Sequence, residues 1–165
     1  MKVSLYEPFL QGNEKRYVND CLDSNWISSK GKYVTLFEEK FSEYTGSRHA
    51  VAVSNGTVAI HLALAALGIG PGDEVLVPTF TYIASVNPVS YVGAVPVFVD
   101  SSANDWQMDM EELRRKLTPK TRAVIAVHLY GISCDMDLLS DFCRTHNLWL
   151  IEDCAEALGV TWKDR

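Results

Sequence analysis

The chain lacks any run of roughly 18 apolar residues, so its sequence carries no signal for a membrane-spanning helix. Its longest apolar region, Val58 to Ile69, is interrupted by His61 and closed by Gly70-Pro71-Gly72. The opening residues, Met1 to Pro8, hold no apolar core of signal-peptide length. Cysteine is scarce. Cys21, Cys134, Cys143 and Cys154 form no C-x-x-C pair, and a chain this large needs no disulfide staples. Cys143 and His146 stand three apart on a helical pattern, but no second pair completes a tetrahedral metal site. Positive charge is also in deficit. Lys and Arg total 15 against 21 Asp and Glu, a formal net charge of −6, which argues against nucleic acid as the main partner. The short basic runs Lys15-Arg16 and Arg114-Arg115-Lys116 fall in helical patterns and read as solvated faces. Repeats, low-complexity segments and linkers are missing too. These absences predict a cytoplasmic protein with no membrane partner.

What is present suits one globular domain: 165 residues, 47% of them apolar and 22% charged. Helical and strand patterns alternate. The spacing predicts helices over 13–22, 33–44, 58–67, 82–91, 109–117 and 135–146. Short apolar runs predict strands at 49–53, 74–77, 95–100, 122–127 and 148–151. Pro88 is expected to kink or delimit its helix, and Asp109 to cap the next one. Strands separated by helices require crossover connections. The expected fold class is therefore α/β, a three-layer α/β/α arrangement around a mostly parallel sheet.

In such sheets ligands bind outside the carboxyl ends of the strands. Four segments there could carry chemistry. Ser54-Asn55-Gly56-Thr57 runs from a strand pattern into a helix, so its N–H groups offer either an anion site or an ordinary N-cap. Tyr82 follows the strand at 74–77 and could stack on a flat ring or simply seat the next helix. Asp153 and Glu156 follow the last strand. Asp153 could pair with a cationic ring nitrogen, cap a helix or join an ion pair. His128 and Tyr130 follow the strand at 122–127, where a satisfied core histidine is the expectation. A phosphate cradle, a stacking ring and an acid for a ring nitrogen meet the three needs of pyridoxal 5′-phosphate. Gly68-x-Gly70-x-Gly72 lies after a helix and before a strand, the reverse of a dinucleotide fingerprint.

The same stretches carry a resemblance. Trp26-Ile27-Ser28-Ser29-x-Gly31, Ser54-Asn55-Gly56-Thr57-Val58-Ala59-Ile60-His61, Pro78-Thr79-Phe80-Thr81-Tyr82-Ile83-Ala84-Ser85, Val127-His128-Leu129-Tyr130-Gly131 and Ile151-Glu152-Asp153-Cys154-Ala155-Glu156-Ala157 resemble the DegT/DnrJ/EryC1/StrS family of sugar-nucleotide aminotransferases. That resemblance implies the large domain of the aspartate aminotransferase type of fold, with pyridoxal 5′-phosphate (PLP) as cofactor. It implies Gly56 and Thr57 at the cofactor phosphate, Tyr82 against the ring, Asp153 at the ring nitrogen and Glu156 near the phenolic oxygen. Many family members carry Gln or His where Glu156 stands, and Ile132-Ser133 departs from the family's usual Gln after Tyr-Gly.

The resemblance also implies the reaction: an amino group moves from glutamate to a 4-keto-6-deoxy sugar nucleotide. A dehydratase of the same family, in which His replaces the Schiff-base lysine, and a non-catalytic remnant are the alternatives. Family members are homodimers roughly twice as long, and their Schiff-base lysine falls in a segment expected beyond Arg165. Residues 1–165 are thus expected to be the amino-terminal part of the large domain, without the small C-terminal domain. Alone they are expected to associate and not to turn over substrate.

Overall fold

Residues 7–164 are described by a computed structural model of the chain. The start, Met1 to Tyr6, over which no signal peptide is expected, lies outside the described residues, as does Arg165. The chain divides into two units, Met1–Ala52 and Val53–Arg165.

The first unit holds two helices, α1 (Glu14–Asp23) and α2 (Lys32–Thr45). Both match the spacing read from the sequence. Gly46 ends α2 in the left-handed conformation, φ 67°, where glycine carries no Cβ penalty. An ion pair between Lys32 and Asp20 and a ring contact of 4.9 Å between Tyr17 and Tyr33 hold the two helices together. The Glu38 carboxylate accepts from the Ala52 N–H at 2.8 Å. Residues 49–53 are not the expected strand. They are irregular, and Val51 is 68% exposed. An apolar run becomes a strand only when a neighbour completes its ladder, and no described residue supplies one.

The second unit opens with helix α3 (Gly56–Ala66) and then builds a four-stranded sheet. Its strands are β1 (Glu74–Pro78), β2 (Val95–Val99), β3 (Thr121–Val127) and β4 (Trp149–Asp153). All three pairings are parallel, in the order β2-β1-β3-β4. Helices α4 (Asn87–Tyr91), α5 (Met110–Lys116) and α6 (Met136–Thr145) make the crossovers. Asp109 caps α5 as expected, accepting from the Glu111 and Glu112 N–H groups at 2.8 Å each.

The core has two faces, which makes the three layers. Ile60 and Leu64 of α3 and Val89 of α4 pack with Val75, Val77, Ala123 and Ile125. On the other side Leu113 of α5 and Leu139 and Phe142 of α6 pack with Leu76, Val99, Val124 and Ala126. The central strands β1 and β3 are covered on both sides, which explains why they read as unbroken apolar runs. Each such Val, Leu or Ile contributes about 1.5–3 kcal/mol by leaving water.

The helix expected over 82–91 is broken into a 3-10 turn, Ile83–Ser85, followed by α4. Pro88 is the cause. It has no N–H to continue a helix from residue 84, so it occupies the first turn of a new one.

Strand order fixes where a ligand could enter. From β1 the chain moves outward to β2, then returns past β1 to β3 and on to β4. The direction reverses between β1 and β3, so a crevice opens at their carboxyl ends. The segments after β1, β3 and β4 all surround it.

Candidate active site

Alternate side chains of β4 leave on opposite faces. Ile151 joins the α3–α4 side and Leu150 the α5–α6 side. The two acids at the strand tip therefore part company. Asp153 meets the turn after β1. Its Oδ2 accepts from the Ser85 hydroxyl at 2.7 Å, and its Oδ1 accepts from the Ala155 N–H at 3.1 Å. Ser85 is 1% exposed, and its Oγ lies 3.1 Å from the Thr81 hydroxyl. An ionised carboxylate only accepts, so Ser85 donates to Asp153 and Thr81 donates to Ser85. The strand tip is fixed as well, because the His128 N–H donates to the Asp153 carbonyl at 3.2 Å.

Tyr82 stands at the head of that same turn, 79% exposed. Its ring is open to a flat partner, while Ser85, three residues on, grips Asp153.

At the α3 N-terminus the N-cap reading of the sequence is borne out. Asn55 is an ordinary cap, its Oδ1 accepting from the Val58 N–H at 3.0 Å. The N–H groups of Gly56 and Thr57 have no acceptor among the described residues. They point along the positive end of the helix dipole, where an anion would be held. A Cβ at Gly56 would meet no atom within 4 Å, and the residue has no positive φ. Nothing in the chain's own packing calls for glycine there, so the space over the helix end suits a bound group. Helix α3 packs against both the 83–85 turn and β4.

Glu156 reaches the segment after β3. Its Oε2 accepts from the Tyr130 N–H at 2.8 Å. Tyr130 is held at φ 54°, ψ 31°, a left-handed conformation that costs a non-glycine residue about 1 kcal/mol or more. The Tyr130 ring faces Phe80 at 6.3 Å, and Phe80 faces Trp106 at 5.7 Å. The three rings form an aromatic cluster joining the segments after β1, β2 and β3.

On the opposite face Glu152 pairs with His128, Oε2 to Nε2 at 3.1 Å. His128 is buried, and its Nδ1 accepts from the Cys134 N–H at 3.1 Å. It is the satisfied core histidine expected from the sequence. The thiols of Cys134 and Cys154 and the Glu152 carboxylate pull its pKa upward. The Cys134 N–H opposes them, because Nδ1 cannot accept that bond and carry a proton. The directed bond decides, and the ring is neutral with its proton on Nε2. His128, Glu152 and Cys154 offer ligand atoms within 4.8 Å of one another. The Nε2 lone pair that a metal ion needs is occupied by that proton.

Comparison with known proteins identifies the family. Residues 8–165 match the model of the DegT/DnrJ/EryC1/StrS aminotransferase family. The chain belongs to that family. GDP-perosamine synthase of Escherichia coli O157:H7 is 55% identical over 163 residues, 99% of this chain and 45% of the relative. The solved aminotransferase from Psychrobacter cryohalolentis superposes with a TM-score of 0.90 at 42% identity, over 97% of this chain and 40% of that one. A GDP-4-keto-6-deoxymannose-3-dehydratase, solved with a trapped PLP-glutamate geminal diamine, gives a TM-score of 0.91 at 29% identity, over 99% and 44%. The chain therefore spans less than half the length of the relatives it matches.

The parallel sheet flanked by helices is thus the fold this DegT/DnrJ/EryC1/StrS chain shares with the solved aminotransferase. Sequence reasoning named five site residues in it: Gly56, Thr57, Tyr82, Asp153 and Glu156. It assigned no role to Ser85, to the Glu152–His128 pair or to the strained Tyr130. Buried Gln107 was also missed. Its side chain ties the Leu129 N–H at 3.4 Å and the Cys134 thiol at 3.3 Å. The available signal for Ser85 was a hydroxyl residue set among apolar ones, three residues after Tyr82.

Proposed function

We propose that the whole protein binds PLP in this crevice and transfers an amino group from glutamate to a 4-keto-6-deoxy sugar nucleotide. The product is then a perosamine-type amino sugar. The observation that carries the reading is the Asp153 carboxylate at the carboxyl end of β4, gripped by Ser85 and Ala155. When bound, PLP supplies an electron sink whose strength depends on a protonated ring nitrogen. Asp153 is a fixed anion suited to keep that proton in place. The Gly56 and Thr57 N–H groups and the Thr57 hydroxyl bind the phosphate, with the α3 dipole in support. Tyr82 covers one face of the ring and keeps water from it. Glu156 spends one oxygen on the Tyr130 N–H and keeps the other for the ring's phenolic oxygen.

The Schiff-base lysine and the small domain are assigned to the part of the relatives' length that this chain does not span. Family homodimerisation and the sugar-nucleotide and glutamate substrates enter the reading in the same way. The reading keeps the cytoplasm as the compartment in which these substrates would be met. No helix among the described residues is long and apolar enough to cross a membrane.

The test is an assay of the whole protein with PLP, glutamate and a GDP-4-keto-6-deoxy sugar. The reading expects one 2-oxoglutarate per amino sugar nucleotide. The fold shared with the dehydratase supports a second reading, in which the sugar loses a hydroxyl and keeps no amine. Finding neither product would reject both.

A further inference from the structure

Asp153 alone does not settle where its carboxylate points, because a terminal carboxylate torsion is broad and roughly two-fold. Two bonds remove that freedom: the Ala155 N–H on Oδ1 and the Ser85 hydroxyl on Oδ2. The first is local, made by the chain two residues on. The second comes from the turn that presents Tyr82, and the sheet brings it across 68 residues of sequence. Ser85 is buried, so water cannot replace it when it is removed. Its own acceptor site faces the Thr81 hydroxyl at 3.1 Å, so the two hydroxyls form a chain ending on the carboxylate. Each bond in such a chain polarises the next.

We propose that Ser85 is a positioning residue for the cofactor's ring nitrogen. It acts through Asp153 by setting the direction of the carboxylate's remaining lone pairs, and Thr81 supports it. The inference rests on the proposed PLP reading and deepens it. It also couples two demands on the ring. The 83–85 turn that presents Tyr82 to the ring face aims the acid at the ring edge, so seating one side chain orients the other.

The test is equilibrium binding of two ligands to the whole apo-protein, followed by fluorescence. One is pyridoxamine 5′-phosphate. The other is its analogue with carbon in place of the ring nitrogen. Ser85→Ala is expected to weaken the first about tenfold, the scale of one hydrogen bond to a charged group. It is expected to leave the second within about twofold, because no ring nitrogen is left to couple. Ser85→Thr keeps the hydroxyl and should bind both ligands as the unaltered protein does. Equal weakening of both ligands would mean a structural role only and would overturn the proposal, as would no weakening of either. If Ser85→Ala does not fold, Thr81→Val decides, with about threefold weaker binding of pyridoxamine phosphate alone expected. Equal binding of the two ligands by the unaltered protein would show that the ring nitrogen meets no acid. That outcome defeats the PLP–Asp153 reading itself, and this inference with it.

Discussion

Asp153 and Glu152 are adjacent acids with different surroundings, because a strand sends successive side chains to opposite faces. The sequence shows that two carboxylates arrive at a strand tip. It does not show that Asp153 meets Ser85 while Glu152 meets His128, since both partners come from distant segments. Residue types at strand ends were legible for this reason, and their bonding was not. The cysteines differ in the same way. Cys154 is exposed, while burial pushes the Cys143 thiol up to about 11. A raised pKa means that folded Cys143 keeps a proton the unfolded chain releases. Its contribution to stability is complete below the ordinary thiol value of 9.0 and fades as pH climbs toward about 11. Urea unfolding at pH 8 and pH 10 checks this. Cys143→Ala should lose less stability over that interval than the unaltered protein. An equal loss in both would count against the account.

Helices and turns were mostly legible because their signals are local. Asp109 caps α5 as read, through two N–H groups. Asp109→Ala should cost about 1 kcal/mol, visible as a lower denaturant midpoint with an unchanged slope. No shift would show that this short helix is held by Leu113 packing alone. The two misreadings, at 49–53 and 82–91, have physical causes. The first is an apolar run with no ladder partner among the described residues. The second is a proline that restarts a helix rather than bending one. Glu156 works at this scale as well. It pins the left-handed Tyr130, so Glu156→Ala should loosen the 129–131 turn. Faster amide exchange at Tyr130 and Gly131 is the expected sign, and exchange at the unaltered rate would contradict it.

At the scale of the whole molecule, the sheet ends at β2 and β4 among the described residues. Phe98 on β2 and Trp149 on β4 are exposed, as are Val58 and Leu62 on the outer side of α3. Apart from Thr57 and His61, helix α3 is apolar on every side, the mark of a helix that is covered. Open edges and apolar faces pair with other chains. Residues 1–165 prepared alone should therefore self-associate. Light scattering across a concentration series should show a rising mass, and a constant monomer mass would contradict this. Sequence reasoning reached the layered parallel sheet because crossover lengths and apolar runs are local facts. The topological switch between β1 and β3 is a property of strand order, which no local pattern carries.

The central claim is that Asp153 holds a proton on the ring nitrogen of a bound pyridoxal-type cofactor. The most direct measurement is the nitrogen-15 resonance of ring-labelled pyridoxamine 5′-phosphate bound to the whole protein and to its Asp153→Asn variant. The account predicts a protonated ring nitrogen in the first and an unprotonated one in the second. An unprotonated nitrogen in both, or the same resonance in both, would contradict it.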